Sequence, residues 1–276
     1  MVFDFQRSVL DKLENDTLEE LGMDDVFSFA CGPECMGRCC RNITILLDPW
    51  DVEVMARHLE LSGQAFFTRY CKMEADRQTG WPMVWLAHAE QGPCIFMLED
   101  GKCSVYPARS RNCRTFPLGR AVRYLPDGEG EKRREERVFM VDRLQFCLGH
   151  KSGRQWTVRE WFIDADAFVY YQMSDQYTEL IDYAVSELCC SEWMNPGVVQ
   201  MIIPFLFAPD MLRKRLGLDE NEIGHEEFHR RRMQAVKLML TDMAAGFGCG
   251  PQTDIGRGAF AGSLMDRVKR VLDEGA

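Results

Sequence analysis

The sequence predicts a mainly α-helical protein with a small region rich in strands and loops, an α+β fold whose C-terminal half is helical. Apolar residues recur at helical spacing from Trp156 almost to the end, interrupted at Asn195-Pro196 and Pro209. Short apolar runs separated by Gly, Pro and Asp occupy residues 81–125, which is typical of strands. Most of the twelve cysteines lie between residues 31 and 147 and set that region apart.

Each element follows from a local pattern. Apolar spacing over residues 2–21 predicts an N-terminal helix, and Asp48-Pro49 predicts a helix start after the short apolar run that ends at Leu47. The letters EDGK at 99–102 predict a hairpin turn. Further helices are predicted at 157–190, 197–207, 225–247 and 260–273. The sequence thus divides into an N-terminal helix (1–25), a cysteine-cluster domain (26–150) and a helical domain (151–276).

Composition and charge limit the classes of function. The 276 residues are 46% hydrophobic, which suffices for a globular core, and the net charge of −10 argues against nucleic acid as a partner. The basic stretch EKRREER at 131–137 alternates in sign and predicts a solvated loop or ribbon end. We see no export signal and no apolar run long enough to span a membrane, so we expect a cytoplasmic protein.

The stretch CGPECMGRCC at 31–40 carries the clearest chemical signal. In a reducing compartment, thiols this closely spaced bind metal or carry out redox chemistry more often than they form disulfides. The Gly, Pro and charged residues beside these thiols are not typical of cysteines that are buried in a hydrophobic core. Eight cysteines are predicted metal ligands: Cys31, Cys35, Cys39, Cys40, Cys94, Cys103, Cys113 and Cys147.

The number and type of centres stay open at this point. Zinc and iron–sulfur clusters each take about four thiolates, so eight suggest two sites or one site with spare thiols. In an extended chain, Cys39 and Cys40 would point to opposite faces. They would then be ligands of two different centres, or one would be a ligand and the other a reactive thiol. We predict that Cys71, Cys189, Cys190 and Cys249, which lie in or beside helical patterns, are structural.

Three arginines surround Cys113 in ARSRNCRTFP and are predicted to bind a cofactor or anionic substrate, or to tune the centre: Arg109, Arg111 and Arg114. Cations beside thiolates lower thiol pKa values and offset the negative charge of the centre. A basic surface loop in an acidic protein is an equally good interpretation.

The letters HEEFH at 225–229 match the H-E-x-x-H pattern of zinc hydrolases. Their surroundings are charged on nearly every side and no third ligand is signalled downstream, so a solvated helix start with Glu226 and Glu227 in its first turn is favoured. His150, three residues after Cys147, is the better histidine candidate for a metal ligand. We interpret His58 and His88 as packing or surface residues.

These residues together resemble a known family. C-x3-C-x3-CC, LLDPWDVEVMARHL, PCIFMLEDGKCSVYPARSRNCRTFP and FCLGHKSG, over residues 27–153, are similar to the YkgJ-type cysteine-cluster proteins, whose domain is described as zinc- or iron-chelating. The resemblance supports the same eight cysteines as metal ligands. The cysteine pattern is also distantly similar to that of flagellin lysine N-methylases, which implies an iron–sulfur protein that uses S-adenosylmethionine.

The favoured hypothesis is a cytoplasmic protein that holds an iron–sulfur cluster, with a [4Fe–4S] cluster preferred. If it is an enzyme, the resemblance implies methylation of lysine in a protein substrate with S-adenosylmethionine. The first alternative is a zinc-binding module without catalysis, in which thiolates fold the loops or handle metal. The second is the zinc hydrolase. No nucleic acid or membrane is expected as a partner, and the sequence gives no oligomeric state.

Overall fold

The computed structural model describes residues 12, 15, 18–41, 44–87, 92–126, 132–141, 147–151, 153–249 and 263–275. The chain divides into a cysteine unit (1–47, 70–72 and 84–171) and a helical unit (48–69, 73–83 and 172–276). These units interleave along the sequence, whereas the predicted domain limits are consecutive, and those limits stay a prediction. The helix predicted over 2–21 lies largely outside the described residues.

The strands form short antiparallel sheets. Strands β1 (Val26–Ser28) and β7 (Gln155–Thr157) pair with Phe27 opposite Trp156. A second sheet has the order β2-β4-β3, formed by β2 (Leu46–Leu47), β3 (Cys71–Ala75) and β4 (Pro82–Leu86). A ribbon joins β5 (Leu118–Pro126) to β6 (Lys132–Met140). The basic stretch at 131–137 therefore lies mostly on a ribbon strand, where Arg120 and Arg123 pair with Glu136 and Glu135 across the strands.

Aromatic residues from several segments form the core of the cysteine unit. Phe29 packs edge-on against Phe116, His150 and Trp161, with ring centroids 5.3–5.8 Å apart. Two short helices border this core: α3 (Arg111–Thr115) and α4 (Val158–Asp164). Because Phe29 and His150 flank the first and last cysteines of the cluster, the same packing brings the two ends of the cysteine region together.

The helical unit contains most of the remaining helices. Asp48 caps α1 through a capping box with Asp51, and Pro49 occupies the first turn, as the sequence predicts. Asn195 caps the helix that begins at Pro196 through its side-chain oxygen. The helices are α1 (Pro49–His58), α2 (Gly63–Tyr70), α5 (Ala167–Ser186, which begins in the cysteine unit), α6 (Pro196–Phe207), α7 (Pro209–Leu216), α8 (His225–Gly246) and α9 (Leu264–Glu274).

The predicted fold class, mainly α with small β regions, is confirmed, and the helical predictions after residue 156 correspond to α4, α5, α6, α8 and α9, whereas α7 was not predicted. Among the helices of the described ranges, none has both the length and the apolar character that a membrane span requires.

Candidate metal centre

The first four cysteines of the cluster lie on consecutive tight turns. Short 3-10 helices cover Pro33–Cys35 and Cys39–Arg41, linked by hydrogen bonds from Arg38 N to Cys35 O and from Cys40 N to Gly37 O. Gly37 has a φ of 73°, a conformation that other residues adopt only at a cost. The stretch is thus coiled without being a regular α-helix, because Pro33 and Gly37 interrupt it.

A second segment packs directly against these turns. The backbone N–H of Cys94 donates to Cys40 O over 2.6 Å. The EDGK sequence forms the predicted turn, in which Leu98 N donates to Lys102 O and Gly101 has a positive φ of 82°. A Cβ on residue 37 would lie only 2.8 Å from Gly101 O, so the two glycines allow the loops to meet. These contacts place Cys94 beside Cys40 and bring the loop that leads to Cys103 against Gly37.

The last two candidates come from separate elements. Cys113 lies in α3, and Cys147 precedes the 3-10 helix Gly149–Lys151. The hydrogen bond from Ala30 N to Gly149 O brings the segment with Cys147 next to Cys31.

The eight thiols interact as two sets that meet at the adjacent pair Cys39 and Cys40. Cys31, Cys35, Cys39 and Cys147 influence one another electrostatically, and we call them the first thiol set. Cys40, Cys94, Cys103 and Cys113 form the second thiol set through the interactions of Cys40 with Cys94 and Cys113 and of Cys94 with Cys103. Cys39 also acts on members of the second set.

The geometry of the adjacent pair differs from the prediction of opposite faces. That prediction assumed an extended backbone, but the 3-10 turn holds the two Sγ atoms 3.9 Å apart. The hydrogen bond between the two thiols lowers the pKa of the Cys39 thiol to about 7 and raises that of Cys40. Partial burial and the neighbouring thiols raise the pKa of Cys31 to about 11. Cys39 is therefore the thiol that loses its proton most easily among these three.

The donor chemistry suits a thiophilic metal, since the eight candidate ligands are all thiols and lie on four segments of the cysteine unit. In the arrangement shown, no three His, Cys, Asp or Glu side chains of the described ranges form a group that would hold an ion. The fit is thus one of donor type. Whether each predicted cysteine is a ligand stays a prediction.

The three predicted arginines occupy different positions. Arg109 lies over the Tyr106 ring at 3.9 Å and interacts electrostatically with Cys103 and Cys113. Arg114 is buried and donates to the carbonyl oxygens of Ala165 and Pro107 and to the Tyr170 hydroxyl. Arg114 therefore fixes α3, which carries Cys113, whereas Arg109 is the arginine that faces the thiols. Arg111 begins α3 and is half-buried.

The histidines have mainly packing roles. His150 packs against Phe29, His58 is exposed, and His88 lies outside the described residues. In the H-E-x-x-H motif, His229 is fully buried, with Nε2 3.2 Å from Met173 O and Nδ1 3.3 Å from Arg232. Both of its nitrogens are thus engaged within the helical unit.

The rest of the motif stabilises the helix start. Glu227 pairs with Arg230 and Arg231, and α8 begins at His225 as predicted. The expectation of a solvated segment is wrong for the face that carries His229 and Arg232, which are both completely buried. Arg232 pairs with buried Glu53 of α1. This contact could not be predicted from the sequence, because the two residues are far apart along the chain.

Comparison with known proteins agrees with this site. Residues 30–140 match the family model CxxCxxCC, described as a "putative zinc- or iron-chelating domain". No curated protein and no solved structure matches the chain significantly. The matched range contains seven of the eight candidate cysteines and ends before Cys147. The resemblance inferred from the sequence is confirmed for residues 30–140, and this match supports a metal-binding role for the cysteine cluster.

Proposed function

Since residues 30–140 match the CxxCxxCC family model, we propose that the two thiol sets hold iron–sulfur centres. The observation that carries the proposal is the 3.9 Å contact between the Sγ atoms of Cys39 and Cys40, with the Cys94 segment bonded to Cys40 and the Cys147 segment bonded beside Cys31. Four thiolates are the usual complement of a [4Fe–4S] or [2Fe–2S] cluster. When bound, such a cluster supplies one-electron redox chemistry.

The protein's own residues would set the properties of such a centre. Arg109 places a positive charge beside Cys103 and Cys113, which offsets the negative charge of several thiolates. The Tyr106 ring lies under its guanidinium and holds it in place, together with the hydrogen bond from Nη1 to Tyr106 O. Arg109 is accordingly the predicted contact for an anionic cofactor or substrate group near the second thiol set.

Zinc is the second candidate, and one distance favours it. In a tetrahedral zinc site with Zn–S bonds of about 2.3 Å, neighbouring sulfurs are roughly 3.8 Å apart. The Sγ atoms of Cys39 and Cys40 are 3.9 Å apart, so both would fit one ion. In this case the thiolates would serve to fold the loops between residues 31 and 113, and the protein would be a structural or metal-handling module.

The chemistry beyond metal binding is proposed from family resemblance. Protein lysine methylation with S-adenosylmethionine, acting on a protein substrate, is the reaction to test once iron is found. We propose the cytoplasm as the compartment, which is consistent with all twelve cysteines being free thiols in the structure.

The deciding experiment is anaerobic purification of the full chain, followed by a visible spectrum and measurement of iron, zinc and acid-labile sulfide per chain. Iron with matching sulfide and visible absorption supports the iron–sulfur proposal. Stoichiometric zinc in a colourless protein supports the zinc module and rejects the first proposal. Absence of both metals after supply of iron, sulfide and zinc to the reduced protein would reject both. Cys71→Ser is the matched control, because Cys71 is a half-buried thiol of β3 outside both sets.

A further inference from the structure

Three cysteines of the helical unit, none of them a candidate metal ligand, lie together. Cys189 and Cys190 follow α5 on the turn that leads to α6, and Cys249 follows the end of α8. The charge of Cys189 acts on both of the other thiols, which places all three within electrostatic range. The prediction that these cysteines are structural does not account for this grouping.

Specific contacts hold the two segments against each other. The Cys249 thiol lies 3.5 Å from a carboxylate oxygen of Glu192, whose backbone N–H donates to Cys189 O. The rings of Trp193 and Phe247 are stacked, with centroids 6.1 Å apart and planes 15° from parallel. The end of α8 is thus packed directly on the turn that carries Cys189.

Accessibility separates the three thiols. Cys189 is exposed and Cys249 is half-buried, whereas Cys190 is fully buried, with its Sγ 3.5 Å from Thr79 O. A bond between Cys189 and Cys190 is disfavoured, since adjacent Cα atoms are about 3.8 Å apart and disulfides usually span roughly 4.4–6.8 Å. Cys189 also has a left-handed backbone (φ 49°, ψ 47°), a conformation that strains a residue other than glycine.

We propose that Cys189 and Cys249 form a reversible disulfide when the protein meets an oxidant of the peroxide class. The Cys189 thiolate attacks the peroxide, so an S–O bond forms, the O–O bond breaks, and the leaving hydroxide is protonated to water. The Cys249 sulfur then attacks the sulfenic sulfur, which forms the S–S bond and releases a second water with the proton of Cys249. Two thiols lose two electrons and the peroxide gains them.

The roles of the two thiols follow from their surroundings. Partial burial and the Glu192 carboxylate raise the pKa of Cys249, which disfavours its reactive thiolate form. Cys189 is the more exposed partner and is therefore the residue that is oxidised. The bond would join the end of α8 covalently to the turn before α6, in a contact that the Trp193–Phe247 stack already maintains.

The test uses the full metal-loaded chain, treated with one equivalent of hydrogen peroxide, with remaining thiols then blocked under denaturing conditions. Peptide mapping by mass spectrometry should find a cross-link between the peptide with Cys189 and Cys190 and the peptide with Cys249, and dithiothreitol should remove it. The cross-link should be lost in Cys189→Ser and in Cys249→Ser and kept in Cys190→Ser, which identifies the reacting member of the adjacent pair.

Two results would overturn the proposal. One is the absence of this cross-link in the oxidised wild-type chain, a measurement that does not depend on whether any variant folds. The other is a cross-link that persists in Cys189→Ser, since Cys190 would then be the partner. None of the mapped peptides contains a thiol of the metal centre, so the result is independent of whether the centre holds iron, zinc or neither.

Discussion

The Sγ atoms of Cys39 and Cys40 lie 3.9 Å apart on a 3-10 turn, and each thiol belongs to a different set of four. Their separation is that of neighbouring donors to one metal. Cys39 interacts electrostatically with Cys31 and Cys147, while Cys94 and Cys113 are partners of Cys40. The pair is therefore where the two sets are coupled.

The first prediction concerns the two thiol sets. If each set holds one centre, Cys31→Ser and Cys113→Ser should each remove about half of the bound metal, since a centre with three thiolates is labile. Cys71→Ser should leave the metal content unchanged. Metal analysis of the three purified variants checks this expectation. Complete loss of metal in both ligand variants would instead indicate one shared centre.

The second prediction concerns the contact between the two loops. Gly37→Ala should lower metal content and stability, because residue 37 has a positive φ and its new Cβ would approach Gly101 O within 2.8 Å. The matched control is Gly153→Ala, where an added Cβ meets nothing within 4 Å. Exposed substitutions of that kind usually change stability by less than about 0.5 kcal/mol. If the two variants had the same metal content and the same thermal unfolding temperature, the proposed role of the loop contact would be wrong.

The third prediction separates Arg109 from Arg114. Arg114→Gln should destabilise the protein by about 1–3 kcal/mol, because it removes buried hydrogen bonds to Ala165, Pro107 and Tyr170. Arg109→Gln should leave stability nearly unchanged and make the reduction potential of an iron–sulfur centre more negative, because loss of a cation disfavours the added electron. Arg109→Lys keeps the charge and serves as the control. An unchanged potential in Arg109→Gln would show that Arg109 does not act on the centre.

The fourth prediction concerns the buried ion pair of the helical unit. Arg232 is completely buried and donates to Glu53 and to the carbonyl oxygens of Phe205 and Leu206. Arg232→Leu should destabilise the protein by roughly 3–5 kcal/mol, since it leaves the Glu53 carboxylate buried without its main partner. The double variant Glu53→Leu/Arg232→Leu should lose less unfolding free energy than the sum of the losses in Glu53→Leu and Arg232→Leu. Urea unfolding of the four proteins measures the coupling, and additive losses would contradict it.

The fifth prediction concerns pH and His229. Burial, together with the Arg232 charge, lowers the pKa of His229 from 6.5 to about 3, so the folded protein keeps this ring neutral while the unfolded chain binds a proton below pH 6.5. The free energy of unfolding is therefore unaffected by this group above pH 6.5. Below pH 6.5 it falls as pH decreases towards 3, by at most about 1.4 kcal/mol for each pH unit. His229→Gln should lower the free energy of unfolding at about pH 7.5. It should also make the decrease of that free energy between roughly pH 6 and 4, the window set by this pKa shift, less steep. A wild-type slope in the variant would exclude His229 as its source.

The sequence by itself determined the fold class, the helix starts and the cysteine candidates. Local chemistry is enough for these: Asp48-Pro49 caps a helix and EDGK makes a turn. The family resemblance was also readable, because it depends on residue order and spacing alone.

Only the tertiary structure decided which residues meet. The division of the eight thiols into two sets depends on contacts between distant segments, such as Ala30 with Gly149 and Cys40 with Cys94. The proximity of Cys39 and Cys40 depends on a turn that replaces the extended backbone assumed from the sequence. Burial of His229 and Arg232 likewise requires the Glu53 carboxylate of another helix, because a charged group enters a core only with a partner that compensates its lost hydration.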